Sequence, residues 1–221
     1  MSQSAAPLRA RLMLILSPAL APQDAVARVA AGDVAAVILR PGATSPDVAR
    51  LRALAQPLQK RDCAVLVEAH VEAVEPARLD GAHMGDTVHD PAPLAAALGR
   101  LKPDNIVGAG GFSSRHDAME AGESGADYIL FGPLSGSGAE FARTCALVDW
   151  WTELFEVPAA AVAGSPAEVA ALAQAGADFI ALAQDWIEGA DGVSAVGAAQ
   201  AEIDAHCAHL GHGATDADPT P

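Results

Sequence analysis

The stretch Gly125-Ala-Asp-Tyr-Ile-Leu-Phe-Gly-Pro133 couples a glycine and an aspartate to a short apolar run, and variants of this opening recur along the chain. Gly32-Asp33 leads into Val34-Ala-Ala-Val-Ile-Leu39, Asp80-Gly81 into Ala82-His-Met84, and Gly176-Ala-Asp178 into Phe179-Ile-Ala-Leu182. The four aspartates stand at 33, 80, 127 and 178, so the steps between them are 47, 47 and 51 residues. A step of this size holds two strand-helix units, and four repeats supply the eight units of a closed barrel. Glycine at this point suits a left-handed residue that ends the preceding helix. The predicted fold class is α/β, a (β/α)8 TIM barrel in one compact domain.

Working outward from the repeat, short apolar runs alternate with longer Ala-rich amphipathic segments, the pattern of parallel strands joined by crossover helices. The predicted strands are Arg11-Leu16, Ala35-Arg40, Ala64-Glu68, Gly81-Met84, Asn105-Ala109, Tyr128-Gly132, Ala159-Ala163 and Phe179-Ala183. Ser45-Pro46, Asp90-Pro91 and Ser165-Pro166 each place a capping side chain before proline and mark helix starts. The third crossover, Val71 to Ala77, is too short for a full helix. The sixth helix is expected from about Ala142 to Phe155, with one of the adjacent Trp150 and Trp151 buried and the other at a surface. That pair suggests a homo-oligomer interface or core packing. The barrel is expected to occupy residues 1–205, with residues 206–221 as a disordered tail rich in Gly, Asp and Pro.

The 221 residues carry a formal net charge of −15, which repels nucleic acid and anionic lipid and argues against both as partners. Arg143 is the last basic residue apart from histidines, so an anion near the later strands must rely on backbone N–H groups and helix N-termini. Cys63, Cys145 and Cys207 are odd in number and widely spaced, which suits free thiols in a reducing cytoplasm. Arg9 and Arg11 before Leu12-Met-Leu-Ile-Leu16 resemble a signal peptide superficially, yet the run is short and Pro22 follows the only Ala-Leu-Ala site. It is read as the first strand, and no run is long enough to span a membrane.

In this architecture ligands bind on the loops at the strand C-termini. Those loops contain Ser17-Pro18, Arg40-Pro-Gly42, Glu68-Ala-His70, Gly85-Asp86, Gly110-Gly-Phe112, Pro133-Leu-Ser-Gly-Ser-Gly138, Gly164-Ser165 and Gln184-Asp185. Barrels of this kind commonly hold phosphate after strands seven and eight. Here Gly164 offers a bare backbone turn and Ser165 a capped helix start, whereas Asp185 is expected to cap the last helix and compete with phosphate.

Asp80-Gly-Ala-His-Met-Gly85, Gly125-Ala-Asp-Tyr-Ile-Leu-Phe-Gly-Pro133 and Ala175-Gly-Ala-Asp178 resemble thiamine-phosphate synthase, in the superfamily it shares with the thiazole tautomerase TenI. The resemblance covers about Leu12 to Ile187. It implies a (β/α)8 enzyme that transfers a pyrimidinylmethyl group from its pyrophosphate to a thiazole phosphate, with magnesium as cofactor. The chain departs from the family pattern where charge is needed. The family's Gln-Leu-Arg-Glu-Lys reads Ile38-Leu-Arg-Pro-Gly42, keeping Arg40 and losing the lysine, and its Asn-Asp reads Glu68-Ala69. Its His-Leu-Gly-Gln-x-Asp reads His83-Met-Gly-Asp-Thr-Val88, and the Lys of its Thr-x-Thr-Lys is replaced by Glu140. Two metal carboxylates and two cations are thereby lost, although Glu68, Glu72, Asp86 or Asp90 could rebuild a magnesium site.

In the tautomerase branch a histidine after strand five moves the proton, and Phe112 stands there in this chain. His116 lies four residues on, leaving His70 and His83 as the imidazoles near the mouth, where His83 serves as a base or as a hydrogen-bonded core residue. Gly108-Ala-Gly110-Gly111 lacks the third glycine of a dinucleotide fingerprint, and Gly132 to Gly138 lacks the Gly-Lys-Ser/Thr ending of a P-loop. His206, Cys207, His209 and His212 have ligand-type spacing but no fixed partner carboxylates.

The expected catalytic residues are therefore Arg40, Glu68, His83 and Asp86. Gly110, Ser135, Ser137, Gly164, Ser165 and Gln184 are expected to bind a small phosphorylated ligand, and no residue is assigned to a metal. Three readings stay open: a thiamine-phosphate synthase-like transferase, an isomerase with His83 or Glu68 as base, and a non-catalytic phosphate-ligand barrel.

Overall fold

The computed structural model describes residues 9–43, 45–85, 91–135 and 140–213, the last three of these without their side chains. Its element order is β1 (Arg11–Leu16), α1 (Pro22–Val29), β2 (Val34–Leu39), α2 (Val48–Gln59), β3 (Ala64–Glu68), a 3-10 turn (Val71–Ala73) running into α3 (Val74–Ala77), and β4 (Gly81–Met84). It continues as α4 (Ala92–Leu101), β5 (Ile106–Phe112), α5 (Arg115–Glu123), β6 (Tyr128–Phe131), α6 (Phe141–Leu154), β7 (Ala159–Ala163), α7 (Pro166–Gln174), β8 (Phe179–Leu182), α8 (Gln184–Ile187) and α9 (Gly192–Gly213). All eight strands pair in parallel with their chain neighbours, and β8 closes on β1 through Leu12 beside Ile180. This is the predicted TIM barrel.

Alternation along each strand divides the core in two. Leu12, Leu14 and Leu16 pack outward against the helices, while Met13 and Ile15 join Ile38, Leu66, Leu130 and Val162 in the lumen. Small residues let the layers approach closely, and β7 is Ala-Ala-Ala-Val-Ala throughout. Cys63 lies in the outer core, where burial and then Asp80 push its thiol up to about 12. Trp151 is fully buried, stacks on Phe155 with ring centroids 4.1 Å apart and donates Nε1–H to the Val157 carbonyl. Trp150 is half-buried, with the Arg115 guanidinium 4.7 Å above its ring.

The recurring aspartates work as clamps at the strand N-termini. Asp80 accepts from Val65 N at 2.7 Å, Asp127 from Val107 N at 2.7 Å and Asp178 from Ala159 N at 2.8 Å. Asp33 instead accepts from the Arg11 side chain, beside a register shift between Leu12 and Met13. The left-handed glycine expected before each strand is present at Gly125 (φ 95°) and Gly176 (φ 82°), whereas Arg78 (φ 56°) takes that conformation before β4.

Of the three expected helix starts, one differs, one falls partly outside the described residues and one is as predicted. Asp47, two residues past Ser45, caps α2 by accepting from Ala49 N and Arg50 N. Asp90 lies outside the described residues, and α4 begins after Pro91 without a side-chain cap. Ser165 caps α7 as predicted. Strand β5 runs to Phe112, past the predicted end at Ala109, through a register shift around Gly110 and Gly111. Helix α9 continues to Gly213, so residues 206–213 extend a helix where a frayed tail was expected; residues 214–221 lie outside the described residues.

Candidate functional site

Parallel register sets the mouth. Leu39 lies beside Val67 and Glu68 beside His83, so Arg40 and Glu68 emerge as neighbours at the C-terminal rim. Arg40 Nε donates to Glu68 Oε2 at 2.9 Å, with the two side chains 28% and 21% exposed. Ala69, at φ 62°, turns the chain away so that His70 faces sideways. His70 sits 2.9 Å from the Gly42 carbonyl and 3.1 Å from Glu72, and these two contacts, the carbonyl first, favour its protonated form. Two expected acids thus have other partners: Glu68 is paired with Arg40, and Glu72 points to His70.

A cavity of about 510 Å3 opens beside this pair. It is lined by Arg40, Glu68, Gly85, Gly111, Ser113, Gly132, Ser135, Glu140, Arg143 and Thr144 among others. A second cleft of about 440 Å3 adjoins it through Ser135 and is lined by Gly164, Ser165, Glu168, Ala183, Asp185 and Trp186. A third hollow, between α4 and α5, is lined by Leu94, Leu98, Asp117 and Glu120 and belongs to the helical layer.

The second cleft is where phosphate was expected, and the chain itself occupies its donors. Gly164 N donates to Glu168 Oε2 at 2.6 Å, and Ser165 Oγ accepts from Glu168 N at 3.3 Å. Ser165-Pro-Ala-Glu168 is a capping-box sequence, a signal that the sequence analysis passed over; here the glutamate reaches one residue further back than usual. Gln184 Nε2 donates to Glu188 Oε2 at 2.9 Å, while the other oxygen of Glu188 accepts from Ser17 N. Asp185 does not cap α8: the cap position is Ala183, without a side-chain bond. Among the described residues this cleft therefore contains two carboxylates and no cation.

His83 requires a correction. Its side chain points into the lumen, is fully buried and shares a 2.8 Å hydrogen bond through Nδ1 with the Tyr128 hydroxyl. Burial, and then the nearby Arg40 charge, lower its pKa to about 3. Its Nε2 has no hydrogen-bond partner among the described residues and abuts Gly110, where an added Cβ would come within 2.7 Å. Gly110 thus makes room for His83 one layer below the mouth, and Gly111 lines the cleft in its place. A sealed imidazole with so low a pKa has neither the access nor the proton affinity of a general base at neutral pH. Phe112 is buried, and His116 is 80% exposed beside Glu120, so neither supplies an imidazole to the cleft. Asp86 and Ser137 lie outside the described residues.

Among the described residues the donor set does not fit magnesium; Asp86 and Asp90 lie outside them. Magnesium is held by one or two carboxylates together with ligand oxygens and water. Glu68 is engaged by a guanidinium, Glu72 by His70, and among the described residues no three His, Cys, Asp or Glu side chains gather into a metal site. His206, Cys207 and His209 form none among the described residues, and the His212 side chain lies outside them.

Strands, register and rim define a (β/α)8 barrel with its polar clefts at the strand C-termini. The family model described as thiamine monophosphate synthase matches residues 12–185. A thiamine-phosphate synthase from Rhodospirillum centenum is 40% identical over 183 residues, covering 78% of this chain and 86% of that one. A thiamine-phosphate synthase from Hyphomonas neptunium is 33% identical over 205 residues, covering 85% and 90%. Among solved structures, thiamine phosphate pyrophosphorylase from Pyrococcus furiosus shares the fold with a TM-score of 0.71 at 19% identity, covering 90% of this chain and 98% of that one. The chain belongs to the thiamine monophosphate synthase family, a family of thiamine biosynthesis. No helix among the described residues is long and apolar enough to cross a membrane.

Proposed function

We propose that the chain binds a small phosphorylated heterocycle at its mouth and transfers a pyrimidinylmethyl group to a thiazole phosphate, in the cytoplasm. The observation that carries this reading is the larger cleft, where Arg40, Glu68, Ser113, Ser135 and Thr144 converge on open space above a sealed lumen. The reaction breaks the bond between the pyrimidine methylene carbon and a pyrophosphate oxygen, which leaves with the electron pair. The thiazole nitrogen lone pair then forms the new C–N bond. Arg40 offsets charge on the departing oxygens, Glu68 holds that guanidinium in place, and Ser135 contributes a hydroxyl from the loop after β6, with Ser137 kept as a sequence expectation. Asp86, which follows Gly85 in the sequence, stays with this reading as an expected acid.

A second reading, a phosphate-ligand barrel without turnover, is favoured by Glu168 on the Gly164 amide. The two are separated by incubating the full chain with the pyrimidine pyrophosphate and thiazole phosphate, with and without magnesium, and following pyrophosphate release. Turnover that falls roughly 100-fold in Arg40→Ala supports the transferase, by the loss of one charged transition-state donor. Calorimetric binding of thiazole phosphate without turnover leaves the binding barrel. Absence of binding to either compound overturns both.

A further inference from the structure

The family lysine that follows the sixth strand is Glu140 here, and the usual phosphate donors near β7 are taken by Glu168. An anionic ligand in this mouth needs positive charge from elsewhere. Residues three apart on a helix lie one above the other, so Arg143 stands one turn beyond Glu140 at the start of α6, and both line the larger cleft. Of the two cations there, Arg40 is already paired with Glu68, whereas Arg143 makes no ion pair and no hydrogen bond among the described residues.

Two further features aim at the same space. Thr144 is only 6% exposed and lines the cleft, yet its hydroxyl has no hydrogen-bond partner among the described residues. Gly132, at φ 79°, passes it so closely that a Cβ there would lie 3.2 Å from Thr144 Oγ1. Helix α6 is 14 residues long, and Glu140 at its cap position makes no side-chain bond to the first-turn amides. Those amides and the helix dipole favour an anion at this end. Among the described residues, a hydroxyl without a hydrogen-bond partner on a 6%-exposed threonine, an unpaired guanidinium and first-turn amides without a side-chain cap therefore share the cleft that Arg40 lines.

We propose that Arg143, with the Thr144 hydroxyl and the first-turn amides of α6, forms the phosphate or pyrophosphate subsite of this mouth in place of the missing lysine. The proposal rests on the reading of the mouth as a phosphorylated-ligand site. It also assigns the anion to the cleft beside α6, leaving the Gly164 turn as a closed structural cap.

The test is calorimetric titration of the full-length chain with inorganic pyrophosphate, and in parallel with thiazole phosphate, at fixed low salt. Removing one charge-assisted donor predicts about tenfold or greater weakening in Arg143→Ala, with partial recovery in Arg143→Lys. Thr144→Val should weaken binding about threefold to tenfold at an unchanged melting temperature. Arg100→Ala, an exposed change on α4, and Glu168→Gln should bind as the unmodified chain does. In Arg143→Ala the dependence of affinity on salt should also become shallower. Undiminished pyrophosphate affinity in Arg143→Ala overturns the subsite, as does an equal loss in Arg100→Ala, which would indicate nonspecific charge. If the unmodified chain binds neither compound, the underlying reading of the mouth fails, a result distinct from a variant that binds normally.

Discussion

His83 is fully buried inside the barrel, out of contact with solvent, and its proton equilibrium is therefore a stability term. Burial, reinforced by Arg40, holds its folded pKa at about 3, below the ordinary value of 6.5. Between those values the unfolded chain binds a proton that the folded barrel refuses. Stability is complete above about pH 6.5 and is lost as pH falls toward 3, at up to about 1.4 kcal/mol per pH unit. Urea unfolding of the unmodified chain and of His83→Asn at several pH values between 7 and 4 should give diverging curves, with the shallower fall in the variant. Parallel curves would remove His83 from the acid sensitivity. At this scale Arg40 and Glu68 were readable as rim residues from their place after predicted strands. The burial of His83 was not, because alternation along β4 shows that its side chain faces inward without showing how deeply the loops and Gly110 enclose it.

Among the elements, the Gly/Asp repeat is a device for setting strand register. Asp127 accepts from Val107 N at 2.7 Å and from Lys102 Nζ at 2.5 Å, and its own N–H donates to the Val107 carbonyl. Asp127→Ala leaves the Val107 amide without its acceptor, at a cost of about 1–3 kcal/mol in denaturant unfolding. Asp127→Asn keeps a carbonyl acceptor and should recover at least half of that loss. Equal effects of the two changes would show that the charge, and not the clamp on Val107, is what matters. Strand β5 was predicted to stop at Ala109 because Gly110-Gly111 reads locally as a loop; pairing of Phe112 with Phe131 carries the strand onward. Helix α2 starts at Val48 because the Asp47 carboxylate reaches two amides, a choice between neighbouring caps that local sequence leaves open. Glu168 escaped notice for a similar reason: it reads as an ordinary first-turn acid until its carboxylate folds back onto Gly164.

The whole molecule is held at its seam. Strands β1 and β8 close the barrel, and α9 packs across α1, α7 and α8 over that closure. Ile203, on α9, is 1% exposed within the outer core. Ile203→Ala should lower unfolding free energy by about 2–5 kcal/mol, and the loss should appear as one cooperative transition. A separate early transition would show that α9 unfolds independently of the barrel. The chain by itself determined the barrel, its strand order and the loops that form its mouth, because period, alternation and helix-ending residues are local properties written along one dimension. Tertiary structure alone decided which of the mouth's polar groups remain available. Arg40 is paired, the Gly164 amide is occupied and His83 is sealed, while the Arg143 guanidinium has no partner among the described residues. Each of these outcomes depends on neighbours that are distant along the chain or on side chains that turn back, and electrostatic and hydrogen-bond energies follow distance in space.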